Sequence, residues 1–141
     1  MEPPADQARR RKLQVRRSAG AKRAIRTDPA LLRLVAGNIL ENAVVHADEG
    51  GTVEIETTAD AGEMRLRVAN SGSTISRQQA EMVFDRFWRG DAARGATGVR
   101  CGLGLALVKR AASVLGGSAE VQTSAGGQFE ITVAIPSIQT G

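Results

Sequence analysis

The chain has 141 residues, 42% of them hydrophobic, which is enough to bury the core of one domain. Its single cysteine, Cys101, excludes a disulfide framework and fits a reducing cytoplasm, and the sequence has no cluster of Cys and His at metal-ligand spacing. No apolar run is long enough to span a bilayer, and residues 1–12 lack the hydrophobic segment of a secretory signal. The composition therefore predicts one soluble domain.

Positive charge is concentrated near the start of the chain. The net charge is +4, and nine of the nineteen Lys and Arg residues lie between Arg9 and Arg26. From Ala30 onward the sequence has ten basic and twelve acidic residues, so the rest is slightly acidic. A basic segment can bind nucleic acid or anionic lipid, but this one has no aromatic side chain to stack on bases, and charged runs are usually only solvated. We therefore expect no nucleic-acid partner.

The basic arm and the segment after it predict a strand and then a helix. Residues 1–25 form the arm, which we expect to be disordered over its first eight residues and to hold one edge strand near residues 13–16. Thr27-Asp28-Pro29 then provides an N-cap and a proline for the first helical turn. The helix is predicted to run to His46 and to stop before the polar glycine pair at residues 50 and 51.

This helix carries two asparagines where its apolar stripe should continue. At about 100° per residue, one stripe is formed by Leu31, Leu34, Val35 and Val45. Asn38 and Asn42 fall at the centre of that stripe, one turn apart. Burying an unpaired amide costs about 1–3 kcal/mol, so two amides on the inner face indicate a bound ligand or a polar network. The alternative is that both amides lie in the core with their hydrogen bonds satisfied by the protein, without any ligand.

Four alternating segments predict strands. They are Thr52–Thr58, Met64–Asn70, Ala119–Ser124 and Phe129–Ile135. In the second segment, the alternation that points Leu66 and Val68 inward also points Asn70 inward. In the fourth segment, the inward positions are Phe129, Ile131, Val133 and Ile135. A third amide is therefore expected at the core, and the turn that follows it contains Gly72, where backbone can approach a ligand closely.

The middle of the chain predicts a helix, a lid and another helix. A capping box opens a helix over residues 76–84, and residues 85–100 form a long, weakly periodic lid with four arginines. A helix then begins at the glycines of residues 102–105 and ends at Gly116-Gly117. Arginines followed by a helix N-terminus suit polyphosphate. The element order predicts an α+β two-layer sandwich whose mixed, mainly antiparallel sheet carries helices on one face.

Four motifs in this order resemble the ATP-binding catalytic domain of sensor histidine kinases, which has the Bergerat ATP-binding fold shared with gyrase and MutL. The N box, first glycine box, F box and second glycine box correspond to residues 38–43, 68–75, 84–91 and 102–109. The resemblance covers residues 26–136, followed by a tail at 137–141. It implies a histidine protein kinase domain that binds Mg-ATP and donates the γ-phosphate to a histidine on a separate dimerisation domain, absent from this chain.

The resemblance also implies site residues. Asn42 would hold Mg²⁺ through its side-chain oxygen, and Asn38 stands where some superfamily members have a water-activating glutamate, which fits a kinase that does not hydrolyse ATP. Asn70 would accept a hydrogen bond from the adenine amino group in place of the usual aspartate, and Arg89 would contact phosphate. Further nucleotide contacts are expected at His46, Gly72, Ile75, Gly102, Leu103, Gly104 and Leu105.

His46 is the only histidine in the sequence, and the family's phosphoacceptor motif, H-E-x-x-x-P, is not present. We expect His46 either to stack on the nucleotide or to be a plain structural histidine, not to accept phosphate. The resemblance further implies a response regulator as a partner through the dimerisation domain. It implies a cytoplasmic location, as the cytoplasmic portion of a sensor whose membrane attachment lies in other segments.

Three departures from the family pattern leave other functions open. Asn70 replaces aspartate, and Thr74 and Arg100 replace glycines, so a degenerate, nucleotide-free interaction module is one alternative. An anti-sigma-factor serine kinase is another, although that family expects a glutamate near Asn38 and lacks the Phe-Asp-Arg-Phe-Trp-Arg segment. The first glycine box and F box are similar to those of the heavy-metal-sensor subgroup, in which Asn70 would be a subgroup variant.

Overall fold

The computed structural model describes residues 3–20, 26–60, 62–72, 103–124 and 126–137. The helices are α1 (Pro4–Arg10), α2 (Pro29–His46) and α3 (Leu103–Val114), and the strands are β1 (Gln14–Ala19), β2 (Thr52–Asp60), β3 (Glu63–Asn70), β4 (Ser118–Thr123) and β5 (Phe129–Pro136). The predicted helix at 76–84 and the predicted lid at 85–100 lie outside the described residues. Within the described ranges, no helix is both long and apolar enough to cross a membrane.

The five strands form one mixed sheet in the order β1-β2-β3-β5-β4. β1 runs parallel to β2, and the other neighbours are antiparallel. One core contains the buried side chains of α2 and α3 together with the inward residues of β2, β3 and β5. The two longer helices therefore cover one face of the sheet, and the predicted α+β two-layer sandwich is confirmed.

The central strands follow the predicted alternation. The inward residues of β5, Phe129, Ile131, Val133 and Ile135, are all at most 2% exposed. Burying an aliphatic or aromatic side chain contributes about 1.5–3 kcal/mol, so this strand anchors the sheet beneath the helices. In the antiparallel register, Phe129, the first residue of β5, pairs with Asn70, the last residue of β3. The end of β3 therefore lies beside the start of β5.

The N-terminal arm is ordered from Pro4, so the prediction of disorder over the first eight residues is wrong for residues 4–8. α1 packs against α2 and buries Ala8, and β1 pairs with β2, although all six residues of β1 are exposed. β1 (Gln14–Ala19) overlaps the predicted edge strand near residues 13–16. The arm has little apolar periodicity, and its order depends on pairing with β2 and contact with α2, which a local pattern does not report.

α2 begins as predicted, but its buried face differs. The carboxylate oxygen Oδ1 of Asp28 accepts hydrogen bonds from the backbone N–H groups of Ala30 (2.9 Å) and Leu31 (3.2 Å), so Asp28 is the N-cap. The fully buried residues of the helix are Val35, Ile39, Ala43 and Val44. Asn38 and Asn42 are only half-buried beside this set, and their predicted place at the centre of the inner stripe is wrong. The sheet and α3 pack over Ile39, which lies about 100° around the helix from Asn38.

Candidate functional site

Asn70 ends β3 with its side chain inside the molecule, as predicted. Only 1% of the residue is exposed, and its neighbours in the sheet register are Val53 and Phe129. Its Nδ2 donates a hydrogen bond to the carbonyl oxygen of Ser71 at 3.0 Å. The amide is therefore oriented by Ser71 and presents an acceptor oxygen, as hydrogen bonding to the 6-amino group of adenine would require.

The loop after α2 is hydrogen-bonded to the turn after β3. The hydroxyl of Ser71 donates to Oδ1 of Asp48 at 2.6 Å and accepts from the backbone N–H of Thr52 at 2.8 Å. The backbone N–H of Ser71 also donates to the carbonyl of Thr52 at 3.0 Å. We call this set of contacts the Asp48–Ser71 junction. It places the C-terminal ends of α2 and β3 at one edge of the domain.

Two glycines make the close approach at this junction possible. Gly72 has a φ of 75°, which favours glycine, and a Cβ there would overlap Cβ of Asp48. A Cβ on Gly51 would overlap the side-chain oxygens of Asp48 and Ser71 and would lie 2.8 Å from the Asp48 carbonyl oxygen. The predicted nucleotide contact at Gly72 is therefore located in a tightly packed turn beside Asn70.

The two helical asparagines differ in what their amides contact. Nδ2 of Asn38 donates to the carbonyl oxygen of Leu34, one turn earlier in α2, at 2.7 Å. Asn42 is half-buried, and its side chain makes no hydrogen bond to any residue that the structure describes. An amide oxygen is a hard ligand, and Mg²⁺ is usually held by one or two protein oxygens together with substrate phosphates. Asn42 therefore fits the predicted role of magnesium ligand on the chemistry of its donor.

The described residues offer no alternative metal cage, since no three His, Cys, Asp or Glu side chains among them are grouped to hold an ion. His46, the last residue of α2, lies one turn after Asn42 and is half-buried. Burial, and secondarily the positive charge of Arg11, lower the pKa of His46 below its ordinary value. A neutral imidazole at this position is compatible with both predicted roles, nucleotide stacking and structural packing.

Three of the predicted nucleotide contacts lie at the start of α3. Leu103 and Gly104 open the helix, and the side chain of Leu105 packs in the core, so a nucleotide bound here would meet the backbone N–H of Leu105 and not its side chain. The remaining predicted contacts, Ile75, Arg89 and Gly102, lie outside the described residues.

Sequence reasoning missed two parts of this site. Asp48 was not singled out by the sequence, and Ser71 was included only as part of the first glycine box, yet together they join α2 to β3. Their signal in the sequence was short polar residues beside glycines, which is typical of ordinary turns as well. Arg11, whose guanidinium contacts the end of α2, was hidden in a run of basic residues and had no distinguishing signal.

Comparison with known proteins gives a family match over most of the chain. A model of the family described as histidine kinase-, DNA gyrase B-, and HSP90-like ATPase matches residues 27–139. The sensor-like histidine kinase SenX3 of Mycobacterium tuberculosis is 31% identical over 126 residues, which are 89% of this chain and 31% of SenX3. The chain thus spans about a third of the length of this relative.

Two solved structures illustrate the similarity of fold. The mycobacterial sensor histidine kinase MprB has a TM-score of 0.78 and 28% identity, covering 95% of this chain and 90% of that one. Full-length ShkA in complex with AMPPNP has a TM-score of 0.80 and 26% identity, covering 96% of this chain and 28% of ShkA. The five-stranded sheet and its helices are therefore those of histidine kinase catalytic domains.

Proposed function

We propose that the chain binds ATP with Mg²⁺ and donates the γ-phosphate to a histidine on a separate dimerisation domain. The premise is that the chain belongs to the histidine kinase-, DNA gyrase B-, and HSP90-like ATPase family and is the ATP-binding catalytic domain of a two-component sensor histidine kinase. The observation that carries this proposal is the Asp48–Ser71 junction, which joins the loop after α2, the helix of Asn42, to the turn after β3, the strand that ends at Asn70. The crystal structure of ShkA with AMPPNP supports a nucleotide as the ligand.

Each side chain has a distinct task in this proposal. Oδ1 of Asn70, oriented by Ser71, accepts a hydrogen bond from the adenine amino group. The amide oxygen of Asn42 would hold Mg²⁺, which would neutralise charge on the phosphates. Arg89, from the F box, contacts the γ-phosphate, and the backbone N–H groups at the start of α3 bind phosphate oxygens. The domain thus positions ATP for in-line transfer.

The proposal also explains why ATP would be transferred rather than hydrolysed. The amide of Asn38 is not a base at neutral pH, and its Nδ2 is already hydrogen-bonded to Leu34. The site therefore has no carboxylate at this position to activate water. Stable transfer requires an acceptor histidine presented in line with the γ-phosphate by the dimerisation domain, with a response regulator acting on that domain in turn.

Location and subgroup remain proposals. We place the domain in the cytoplasm, as part of a sensor anchored in the membrane through other segments. The heavy-metal-sensor subgroup stays a prediction based on the first glycine box and the F box. Neither alternative function is favoured by a specific observation, and the relative named above is a sensor histidine kinase, not an anti-sigma-factor kinase.

Calorimetric titration with AMPPNP, with and without Mg²⁺, tests the proposed site. We expect Asn42→Ala to weaken the affinity measured with Mg²⁺ by at least about tenfold, because it removes a metal ligand, and to change the affinity without Mg²⁺ much less. Gln122→Ala, which removes an exposed amide on β4, is the matched control and should bind like the wild type. Absence of wild-type binding at millimolar AMPPNP would instead favour the nucleotide-free interaction module.

A labelling experiment tests the acceptor. We expect the chain incubated with γ-labelled ATP to remain unlabelled, because its one histidine, His46, is half-buried at the end of α2. Label should appear on a histidine-bearing dimerisation domain added separately. Acid-labile phosphate on the wild-type chain that disappears in His46→Gln would contradict this assignment.

A further inference from the structure

Arg11 contacts the C-terminal end of α2. Its Nη1 donates hydrogen bonds to the carbonyl oxygens of Val44 and of Val45, the latter at 3.1 Å, and its Nη2 donates to the carbonyl oxygen of Ala47 at 2.6 Å. The last carbonyls of a helix have no partner within the helix. A cation at this end is also favoured by the helix dipole. Arg11 therefore satisfies groups that would otherwise be left unpaired at the end of α2.

The backbone around Arg11 binds the next loop as well. Its carbonyl oxygen accepts from the N–H of Gly50 at 3.0 Å, and the N–H of Gln14 donates to the carbonyl of Gly51 at 2.9 Å. Side chain and main chain of the α1–β1 turn thus hold residues 44–51 together. This segment leads from α2 directly into the Asp48–Ser71 junction.

Two nearby basic residues, Arg9 and Lys12, do not make these contacts. Arg9 is an exposed side chain that pairs with Asp6, three residues earlier in α1. Lys12 is exposed. Arg11 is instead half-buried, and its planar fork fits several carbonyl oxygens, which a single ammonium group does not. Arg11 therefore differs from Arg9 and Lys12 in making a defined contact with α2.

We propose that Arg11 is a positioning residue for nucleotide binding, which holds the last turn of α2 so that Asn42 and the Asp48–Ser71 junction keep their places. This inference rests on the proposed function. Arg11 itself contacts no nucleotide. It acts through α2. Asn42 lies less than one and a half turns before the carbonyls that Arg11 binds, and Asp48 directly follows Ala47. The N-terminal arm thereby acquires a role in ATP binding.

The test is an AMPPNP titration of the whole chain carrying Arg11→Gln. We expect the affinity with Mg²⁺ to fall by about tenfold, as is typical when a residue that orients a metal ligand is lost. Arg9→Gln, which also removes one arginine from the arm, should bind like the wild type. Arg11→Lys keeps the charge but loses the fork, so its affinity should lie between those of the wild type and Arg11→Gln.

A second readout reports the local geometry independently of folding. His46 is the only histidine, so its imidazole gives a single set of NMR signals in a pH titration. Among the described residues, Arg11 is the charged group that affects the pKa of His46, in addition to burial. In Arg11→Gln this pKa should rise, whereas in Arg11→Lys it should stay near the wild-type value. A variant that was merely less stable would leave the midpoint of the folded protein unchanged.

The outcomes separate the two proposals. If the wild type binds AMPPNP with Mg²⁺ and Arg11→Gln binds equally tightly, the inference about Arg11 is wrong and the proposed function stands. If the wild type does not bind, the proposed function fails and this inference fails with it. If Arg11→Gln does not fold, the affinity of Arg11→Lys for AMPPNP with Mg²⁺ is the test. Wild-type affinity in Arg11→Lys would mean that the planar guanidinium is not needed and would overturn the inference.

Discussion

The two ends of α2 are stabilised in opposite ways. At the N-terminal end, Asp28 caps the helix through the N–H groups of its second and third successors, and Pro29 occupies the first turn. At the C-terminal end, the carbonyls are bound by Arg11, which lies 33 to 36 residues earlier in the chain. Local contacts therefore stabilise the start of this helix and tertiary contacts stabilise its end, and the candidate site lies near the C-terminal end.

The surroundings of the two ends differ accordingly. Residues 28–30 are exposed, whereas Ala43, Val44 and Ala47 are buried. A change at the N-terminal end should therefore affect stability with little effect on the site. A change at the C-terminal end should affect both stability and nucleotide binding, because the same contacts hold the helix and the Asp48–Ser71 junction.

The largest effect is expected for Gly51→Ala, which breaks the C-terminal end. The added Cβ overlaps the side-chain oxygens of Asp48 and Ser71, and such overpacking costs about 1–3 kcal/mol of unfolding free energy. Affinity for AMPPNP should fall too, because Ser71 orients Asn70. In Gly50→Ala, the new Cβ meets no described atom within 4 Å, so this control should lose stability through its positive φ but retain nucleotide affinity. Urea unfolding and calorimetry measure both quantities.

Asp28→Ala breaks the N-terminal end with a smaller loss. Removing the cap should lower the free energy of unfolding by about 1 kcal/mol, because two N–H groups lose their acceptor. Asp28→Asn retains an acceptor and should be close to the wild type in the same urea experiment. AMPPNP affinity should be unchanged in both variants, and a marked loss in Asp28→Ala would contradict the separation of the two ends.

Gly37→Ala tests the middle of α2, between the two ends. Gly37 is exposed, and among the described residues no atom lies within 4 Å of an added Cβ, so the change should stabilise the protein by about 0.5–1 kcal/mol. Gly117→Ala is the opposite control, because its Cβ would overlap the carbonyl oxygen of Ala134. Thermal melts should shift upward for the first variant and downward for the second.

The smallest effect is expected for Lys12→Gly, in the turn that presents Arg11. Lys12 has a φ of 58°, a left-handed conformation that is costly for a residue with a Cβ. Glycine removes that cost but loses more chain entropy, so the net gain should be about 0.5 kcal/mol. Lys12→Ala keeps a Cβ and should gain nothing. Equal stability of the glycine and alanine variants in urea would contradict this interpretation.

Much of the sheet could be predicted because its signal is local. Alternation along β3 and β5 identified the buried positions, including Phe129 and Asn70, since successive side chains of a strand point to opposite faces. The N-cap at Asp28 was equally visible in the sequence. The same alternation predicted that the side chain of Asn70, a residue of the candidate site, points inward.

The wrong predictions share one physical origin. Asn38 and Asn42 were placed at the centre of the buried stripe, but the packing of α3 and the sheet selects the line through Ile39. Residues 4–8 were expected to be disordered, but α1 is ordered by packing on α2. In both cases partners far away in sequence decide the outcome, and periodicity within one segment does not contain them.

Residues that lie next to one another in the sequence are enough to predict the strands, the start of α2, the four motifs and hence the family. Only the tertiary structure decided how the site is held: Ser71 joined to Asp48, and Arg11 bound to the end of α2. The physical reason is that the last carbonyls of a helix and the hydroxyl of a turn take whichever partner the fold brings near them. In this chain the fold brings those partners from 23 to 36 residues away.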